Sequence, residues 1–191
     1  MRPVFGTLGA MSSAKAKSAK ARSAKAQGAS KGGGKGTPAT VAATKAKVEF
    51  SLHTYEVDPN TELSYGEAAA DALGVPRERL FKTLVAEVDG SLTVGVVPVS
   101  TTLDLKALAA AAGGKKAQLA DSQDAERATG YVVGGISPLG QRKRLPTVID
   151  ETASGFATVY VSAGRRGLQI ELAPADLLRL TGGRLAAIAR G

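Results

Sequence analysis

The chain has 191 residues, 43% hydrophobic and 22% charged, a composition that fits one soluble domain with an additional segment. It has no cysteine and a single histidine, His53, which excludes disulfides, thiolate metal sites, a cysteine nucleophile and any histidine-rich metal centre. The net charge of +8 is unevenly placed: ten Lys or Arg and no acid lie between Met1 and Val48, whereas from Glu49 onward fifteen cations face seventeen acids. No apolar run approaches the ~18 residues that span a bilayer, and the N-terminus lacks the apolar stretch of a secretory signal, so no membrane association and a cytoplasmic address are expected.

Residues Ser12 to Gly36 are built from Ala, Lys, Ser and Gly, with no large apolar side chain to offset the entropy of ordering. The segment 1–37 is therefore expected to be a disordered basic tail, able to touch phosphates in a salt-sensitive way or to act only as a solubilising extension. The domain is expected to occupy 38–191. Ala39 to Lys45 reads as a short helix and Val48 to Val57 as a strand. Ser64 with Glu67 matches a capping box that opens a helix through Leu73, closed by Gly74. Val75 to Arg79 reads as a second short helical start. Leu80 to Val88 and Ser91 to Val99 flank Asp89-Gly90, a strong hairpin signal.

Asp104 to Ala112 is an alanine-rich helix ended by Gly113-Gly114. Lys116 to Leu119 reads as a short strand, and Asp121 caps a helix through Ala128, with Gly130 just past its end. Strands follow at Thr147 to Asp150, Ala157 to Ser162 and Leu168 to Leu172, the last two joined by a turn at Gly164-Arg165-Arg166-Gly167. Pro174 starts a final helix ended by Gly182-Gly183, and Leu185 to Ile188 adds one helical turn. These elements predict a single α/β domain with a mixed, mostly antiparallel, barrel-like sheet and surrounding helices.

The stretch Thr129 to Pro146 reads TGYVVGGISPLGQRKRLP. Its paired glycines permit positive φ and leave backbone N–H groups uncovered, and the cations Arg142, Lys143 and Arg144 follow closely. Two readings stay open: an amide loop beside an anion-binding patch, or a tight turn with a solvated basic tip. A serine triad needs a histidine in reach, yet His53 sits mid-strand in LHTYE with no nucleophile elbow nearby. No phosphate-binding glycine fingerprint is present. Lys82 is the more pointed signal, because strand alternation puts it on the face of Leu80 and Leu84. It is either a partly buried functional lysine or an edge lysine reaching for solvent.

Phe50 to Glu56 (FSLHTYE), Phe81 to Leu84 (FKTL), Leu103 to Lys106 (LDLK), Thr129 to Pro146, Thr158 to Ser162 (TVYVS) and Arg165 to Leu168 (RRGL) together resemble the YbaK-type Cys-tRNA(Pro) deacylases, free-standing relatives of the editing domain of bacterial prolyl-tRNA synthetases. The resemblance runs collinearly from about Thr37 to Arg190. It implies the YbaK-like editing fold and a trans-editing deacylase that removes cysteine from mischarged Cys-tRNA(Pro), extending to Cys-tRNA(Cys). It places the critical lysine on Lys82, with Gly134, Gly135 and Ser137 of the Gly-xxx-Pro loop in the catalytic set. Tyr55, Tyr65, Thr83, Pro138, Ser162 and Gln169 fall on substrate-binding positions. Arg142, Lys143 and Arg144, then Arg165 and Arg166, are the expected tRNA contacts. The expected partners are the aminoacyl-tRNA and prolyl-tRNA synthetase, and no cofactor or metal is expected. Two positions depart from the family pattern: Tyr65 where phenylalanine is found, and Gln169 where aspartate is frequent, which removes a charge near Lys82.

The chemistry implied by the resemblance uses the substrate's own cysteine thiol to attack the aminoacyl ester; beside it, the uncovered Gly134 and Gly135 amides are the expected oxyanion donors. Two rivals remain at this point. One is a deacylase of another mischarged tRNA such as Ala-tRNA(Pro); the other is a non-catalytic RNA-binding accessory protein acting through its tail.

Overall fold

The Asp89-Gly90 hairpin nucleates the larger of the two main sheets. In a computed structural model of the chain, described for residues 22–25 (backbone only), 36–58 and 60–191, both turn residues take positive φ, +47° and +85°. That geometry matches the right-handed twist of the strands it joins. β3 (Phe81–Val88) and β4 (Ser91–Pro98) pair antiparallel over their full length. The Asp89 carboxylate also accepts from the Lys115 and Lys116 amides (2.8 and 3.0 Å), which brings β6 (Ala117–Leu119) alongside β3. β4 runs parallel to β7 (Thr147–Asp150), and β7 parallel to β10 (Arg184–Ala186), giving the order β10-β7-β4-β3-β6.

The second sheet is antiparallel throughout: β1 (Arg22–Lys25), β2 (Phe50–Thr54), β9 (Leu168–Leu172) and β8 (Val159–Arg165). Its residues Val159, Val161, Leu168, Ile170 and Leu172 share one buried cluster with Phe81, Val85, Val94, Val96 and Ile149 of the first sheet. Helix α1 (Pro38–Lys45), capped by Thr37, adds Ala39 and Ala43 to it. Opposite residues of β3 and β4, Ala86, Val88 and Val97, pack with Leu108 of α3 (Leu105–Ala111), behind a two-stranded ribbon of β5 (Thr102–Leu103) and β11 (Ala189–Arg190). α4 (Ser122–Thr129) and α5 (Pro174–Thr181) end at left-handed Gly130 and Gly182, as the sequence leads one to expect.

The mixed, mostly antiparallel sheet is present, but the barrel does not close. β3 and β8 meet through one parallel bridge, Leu80 to Tyr160, reinforced by Tyr160 N–H donating to the Arg79 carbonyl (3.1 Å). An ion cluster seals this junction. Glu171 accepts from Arg79 (2.8 Å) and Thr158 (2.6 Å) and pairs with His53 Nε2 (2.9 Å). Hydrogen bonds from Thr158, His53 and Tyr160 outweigh the effect of burial and hold the Glu171 carboxyl below its ordinary value. His53 is thus a strand residue bonded to a neighbour, as its position suggests.

Two local expectations fail. Val75 to Arg79 forms one turn closed by Arg79 N–H to Pro76 O (3.0 Å), because Arg79 leaves to join the sheet junction. Leu185 lies in β10, where pairing with β7 overrides its helical pattern. The expected tail falls largely outside the described residues; within it, Arg22–Lys25 is an edge strand on β2. Among the described residues no helix is long and apolar enough to cross a membrane.

Candidate active site

Six elements converge on a cavity of about 460 Å³, a size suited to a small organic group. Its floor is β3 from Leu80 to Val85. One wall is the start of α2 (Tyr65–Leu73), whose capping box is complete: Ser64 Oγ accepts from the Glu67 amide and the Glu67 carboxylate accepts from the Ser64 N–H. Ser162 of β8 and Gln169 of β9, paired in register, form another wall with Tyr55. The loop Val133, Gly134 and Ile136 closes one side, and the β6–α4 junction (Leu119, Ala120, Ser122) with Ala125 closes the other.

Lys82 is half-buried in this cavity, and its ammonium donates to the Thr101 carbonyl at 2.5 Å. The Pro98–Thr101 turn fixes that acceptor through two further bonds, Thr101 N–H and Oγ1 to Pro98 O. Burial pulls the Lys82 pKa below the usual lysine value, and Glu67 opposes the shift only partly. Two residues that line the cavity carry a buried polar atom with no hydrogen-bond partner among the described residues, Thr83 Oγ1 and Gln169 Oε1. The Gln169 amide reaches only the Tyr55 hydroxyl, at 3.4 Å. Orphaned buried polar atoms are rare in folded proteins. Among the described residues no carboxylate or imidazole lines the cavity.

The loop is built to approach its neighbours closely. Gly134 has φ +84°, and a Cβ there would lie 2.8 Å from Tyr65 Cδ2 and 2.9 Å from Arg166 Nε. A Cβ on Gly135 would sit 2.9 Å from the Arg165–Arg166 backbone. Ser162 Oγ ties the loop down by donating to Gly135 O (2.9 Å). Tyr131 is buried beneath it, with its hydroxyl donating to Leu139 O (2.7 Å). Burial pushes that phenol up to about 12, so it stays a donor throughout the physiological range.

The structure sorts the expected site residues. Lys82, Gly134, Tyr55, Tyr65, Thr83, Ser162 and Gln169 share the cavity. Gly135, Ser137 and Pro138 do not line it. The Gly135 N–H already donates to Val132 O (2.9 Å), so of the glycine pair only the Gly134 amide lacks a partner among the described residues. Ser137 is fully buried and its hydroxyl accepts from Leu139 N–H (3.2 Å) within the same loop, which makes it a loop brace. Pro138 is buried behind it. Next to the paired glycines, Tyr131 is buried and the two valines after it, Val132 and Val133, are exposed.

The cations divide as well. Arg166 sits at the cavity rim, with its guanidinium 4.4 Å from the Tyr65 ring centroid and bonded twice to Val133 O (3.1 and 2.8 Å). Arg165 is exposed beside it. Arg142, Lys143 and Arg144 are exposed along the C-terminal end of α4, held by Arg142 and Lys143 amides bonded to Thr129 O and Ala128 O, and none lines the cavity. Leu119, Ala120 and Ser122 of the β6–α4 junction reach the cavity with no motif of their own in the chain to announce them.

The sequence and the fold match known proteins. The family model for the aminoacyl-tRNA editing domain covers residues 61–180. A protein of Enterococcus faecalis (strain ATCC 700802 / V583), named "Putative Cys-tRNA(Pro)/Cys-tRNA(Cys) deacylase EbsC", is 46% identical over 125 residues, spanning 64% of this chain and 75% of the relative. A solved structure described as "a putative trans-editing enzyme for prolyl tRNA synthetase" superposes with TM-score 0.68 at 24% identity, over 81% of this chain and 96% of the other. Another, "hypothetical protein APE2540", gives the same TM-score at 25% identity, over 80% and 99%. The chain belongs to the aminoacyl-tRNA editing domain family.

Proposed function

We propose that the cavity is an aminoacyl-ester pocket in which cysteine is removed from mischarged Cys-tRNA(Pro) or Cys-tRNA(Cys), the substrates that the name of the Enterococcus relative carries. One observation supports this reading above the others: Lys82 and two residues with unpartnered polar atoms line the cavity, yet among the described residues no carboxylate or imidazole lines it to serve as general base. A nucleophile supplied by the substrate itself fits such a lining. A cysteine thiol, with reference pKa ~8.5, is the best one available near neutrality, and the adjacent Lys82 cation favours its thiolate.

The thiolate attacks its own ester carbonyl, forming a C–S bond. The C–O bond to the terminal ribose then breaks, and the proton given up by the thiol ends on the released ribose hydroxyl. The amino acid leaves as a β-thiolactone. Tethering nucleophile and carbonyl on one skeleton supplies the proximity, less the strain of a small ring. The Gly134 N–H is the oxyanion donor in this scheme, and such a donor is typically worth ~10²–10³ in kcat. Thr83 Oγ1 and Gln169 Oε1 hold the substrate's polar groups. The expected setting is the cytoplasm, where charged tRNA resides, with prolyl-tRNA synthetase as the protein partner.

Cysteinyl, S-methylcysteinyl and alanyl esters of tRNA(Pro) should be compared as substrates. The cysteinyl ester should be cleaved and the other two should persist, with thiolactone as the first product. Cleavage of the alanyl or S-methyl ester at a comparable rate would overturn the thiol mechanism.

A further inference from the structure

Lys82 is the one amine among the described residues that lines the cavity. No side chain holds it in place: its hydrogen bond goes to the Thr101 carbonyl at 2.5 Å. The other nucleophilic groups of the lining are hydroxyls, and among the described residues no carboxylate or imidazole lines the cavity to activate them. Ser64 Oγ is committed to the capping box, donating to the Glu67 carboxylate (2.8 Å), and Ser162 Oγ is committed to Gly135 O (2.9 Å). Lys82 is different, because burial raises the share of its free amine, with Glu67 opposing only partly. A desolvated lysine in a pocket is a nucleophile for carbonyl carbon. In the deacylation scheme a β-thiolactone forms beside this amine. Such a product is a thioester under ring strain, and its acyl group passes downhill to an amine.

We infer that Lys82 is a site of self-acylation, which captures the cysteinyl group of the β-thiolactone before it leaves the cavity. The inference rests on the deacylase reading and sets a limit on it. The ammonium first gives one proton to solvent. The free amine attacks the thiolactone carbonyl, a C–N bond forms, the C–S bond breaks, and one of the two amine protons ends on the sulfur. Lys82 then carries an Nε-cysteinyl amide with a free thiol and a free α-amino group. The ammonium is lost from its place, and the added group fills part of a cavity of only about 460 Å³. A chain modified in this way takes no further substrate, so each chain works through a finite number of turnovers.

The chain supplies its own readout, because it has no cysteine: a thiol that stays with the protein has come from the substrate. The full chain is run on cysteinylated tRNA(Pro), unfolded, freed of RNA and small thiols, titrated for thiol and mapped by peptide mass spectrometry. Activity should fall in step with the thiol gained, up to one per chain, on the peptide that holds Lys82. Hydroxylamine should leave that thiol in place, since it cleaves an ester on a hydroxyl and spares an amide. Cysteine benzyl thioester, which delivers the same acyl group without RNA, is the second probe. It should acylate Lys82 ahead of the exposed Lys106 and Lys143, and Lys82→Arg, which keeps the cation, should lose only that labelling. Sustained deacylation with no thiol on the protein overturns the inference, as does thioester labelling in which Lys82 does not lead the surface lysines. Labelling of Lys82 by the thioester in a chain that does not cleave Cys-tRNA(Pro) supports the reactive lysine and overturns the deacylase reading instead.

Discussion

Burial of the Lys82 ammonium costs stability wherever it stays charged. Its folded pKa lies below the unfolded value of ~10.4. Between the two values the unfolded chain binds more protons, so stability rises with pH through that window and the cost is fully present below it. Lys82→Met should abolish deacylation, leave the melting temperature unchanged or raised at pH 7, and flatten the alkaline rise in stability. Thr83 and Gln169 follow the same logic with neutral groups. Their orphaned atoms contribute no hydrogen bond to the free protein, so Thr83→Val and Gln169→Leu should not lower its stability. Both should raise KM for the cysteinyl ester, and a fall in thermal stability with unchanged KM would mean that these atoms serve the fold and not the substrate.

At the scale of elements, the loop from Tyr131 to Gly140 works as a plug with one exposed lip. Its inner half, Ile136 to Leu139, is buried, braced by Ser137 and roofed over the Tyr131 hydroxyl. Its outer half, Val132 to Gly134, faces the cavity mouth. Gly134→Ala must adopt φ +84° with a Cβ and also push Tyr65 and Arg166 aside. We expect a loss of about 1–2 kcal/mol in stability from the backbone alone and a much larger proportional loss of turnover. Denaturant unfolding beside steady-state kinetics would separate the two, and an unaffected kcat/KM would remove the loop from the site.

For the molecule as a whole, Asp150 closes the C-terminal end. Its buried carboxylate caps the turn after β7 through Thr152 and accepts from the Ile188 and Ala189 amides (2.9 and 2.8 Å), pinning β11 across the domain. Burial alone would raise its pKa, but these hydrogen bonds win and hold it below the ordinary value. A depressed carboxylate contributes stability that is present above ~3.9 and lost as pH falls through the folded value. Asp150→Asn should therefore be less stable at neutral pH, by about 1–3 kcal/mol from the amides it no longer satisfies, and should show a shallower acid limb. Equal acid sensitivity in wild type and variant would assign that limb to other carboxylates such as Glu171.

The sequence by itself determined what is local. The Ser64–Glu67 box, the Asp89-Gly90 turn and the glycine stops at Gly74, Gly130 and Gly182 follow from backbone geometry within a few residues, and each stands where its pattern put it. Strand alternation set Lys82 on an unusual face, and the collinear motifs pointed to the family. What only the tertiary structure decided depends on contacts distant in sequence. Leu185 became a strand because β7 offered an edge to pair with. Ser137 and Pro138 were turned inward by the plug, and Gly135 spent its amide on Val132. The rim of Tyr65, Arg166 and Leu119 comes from three separate elements, so no spacing in the chain announces it. Local patterns fix where the chain turns; which side chains face one cavity is set by how two sheets, joined at a single bridge, come to rest on each other.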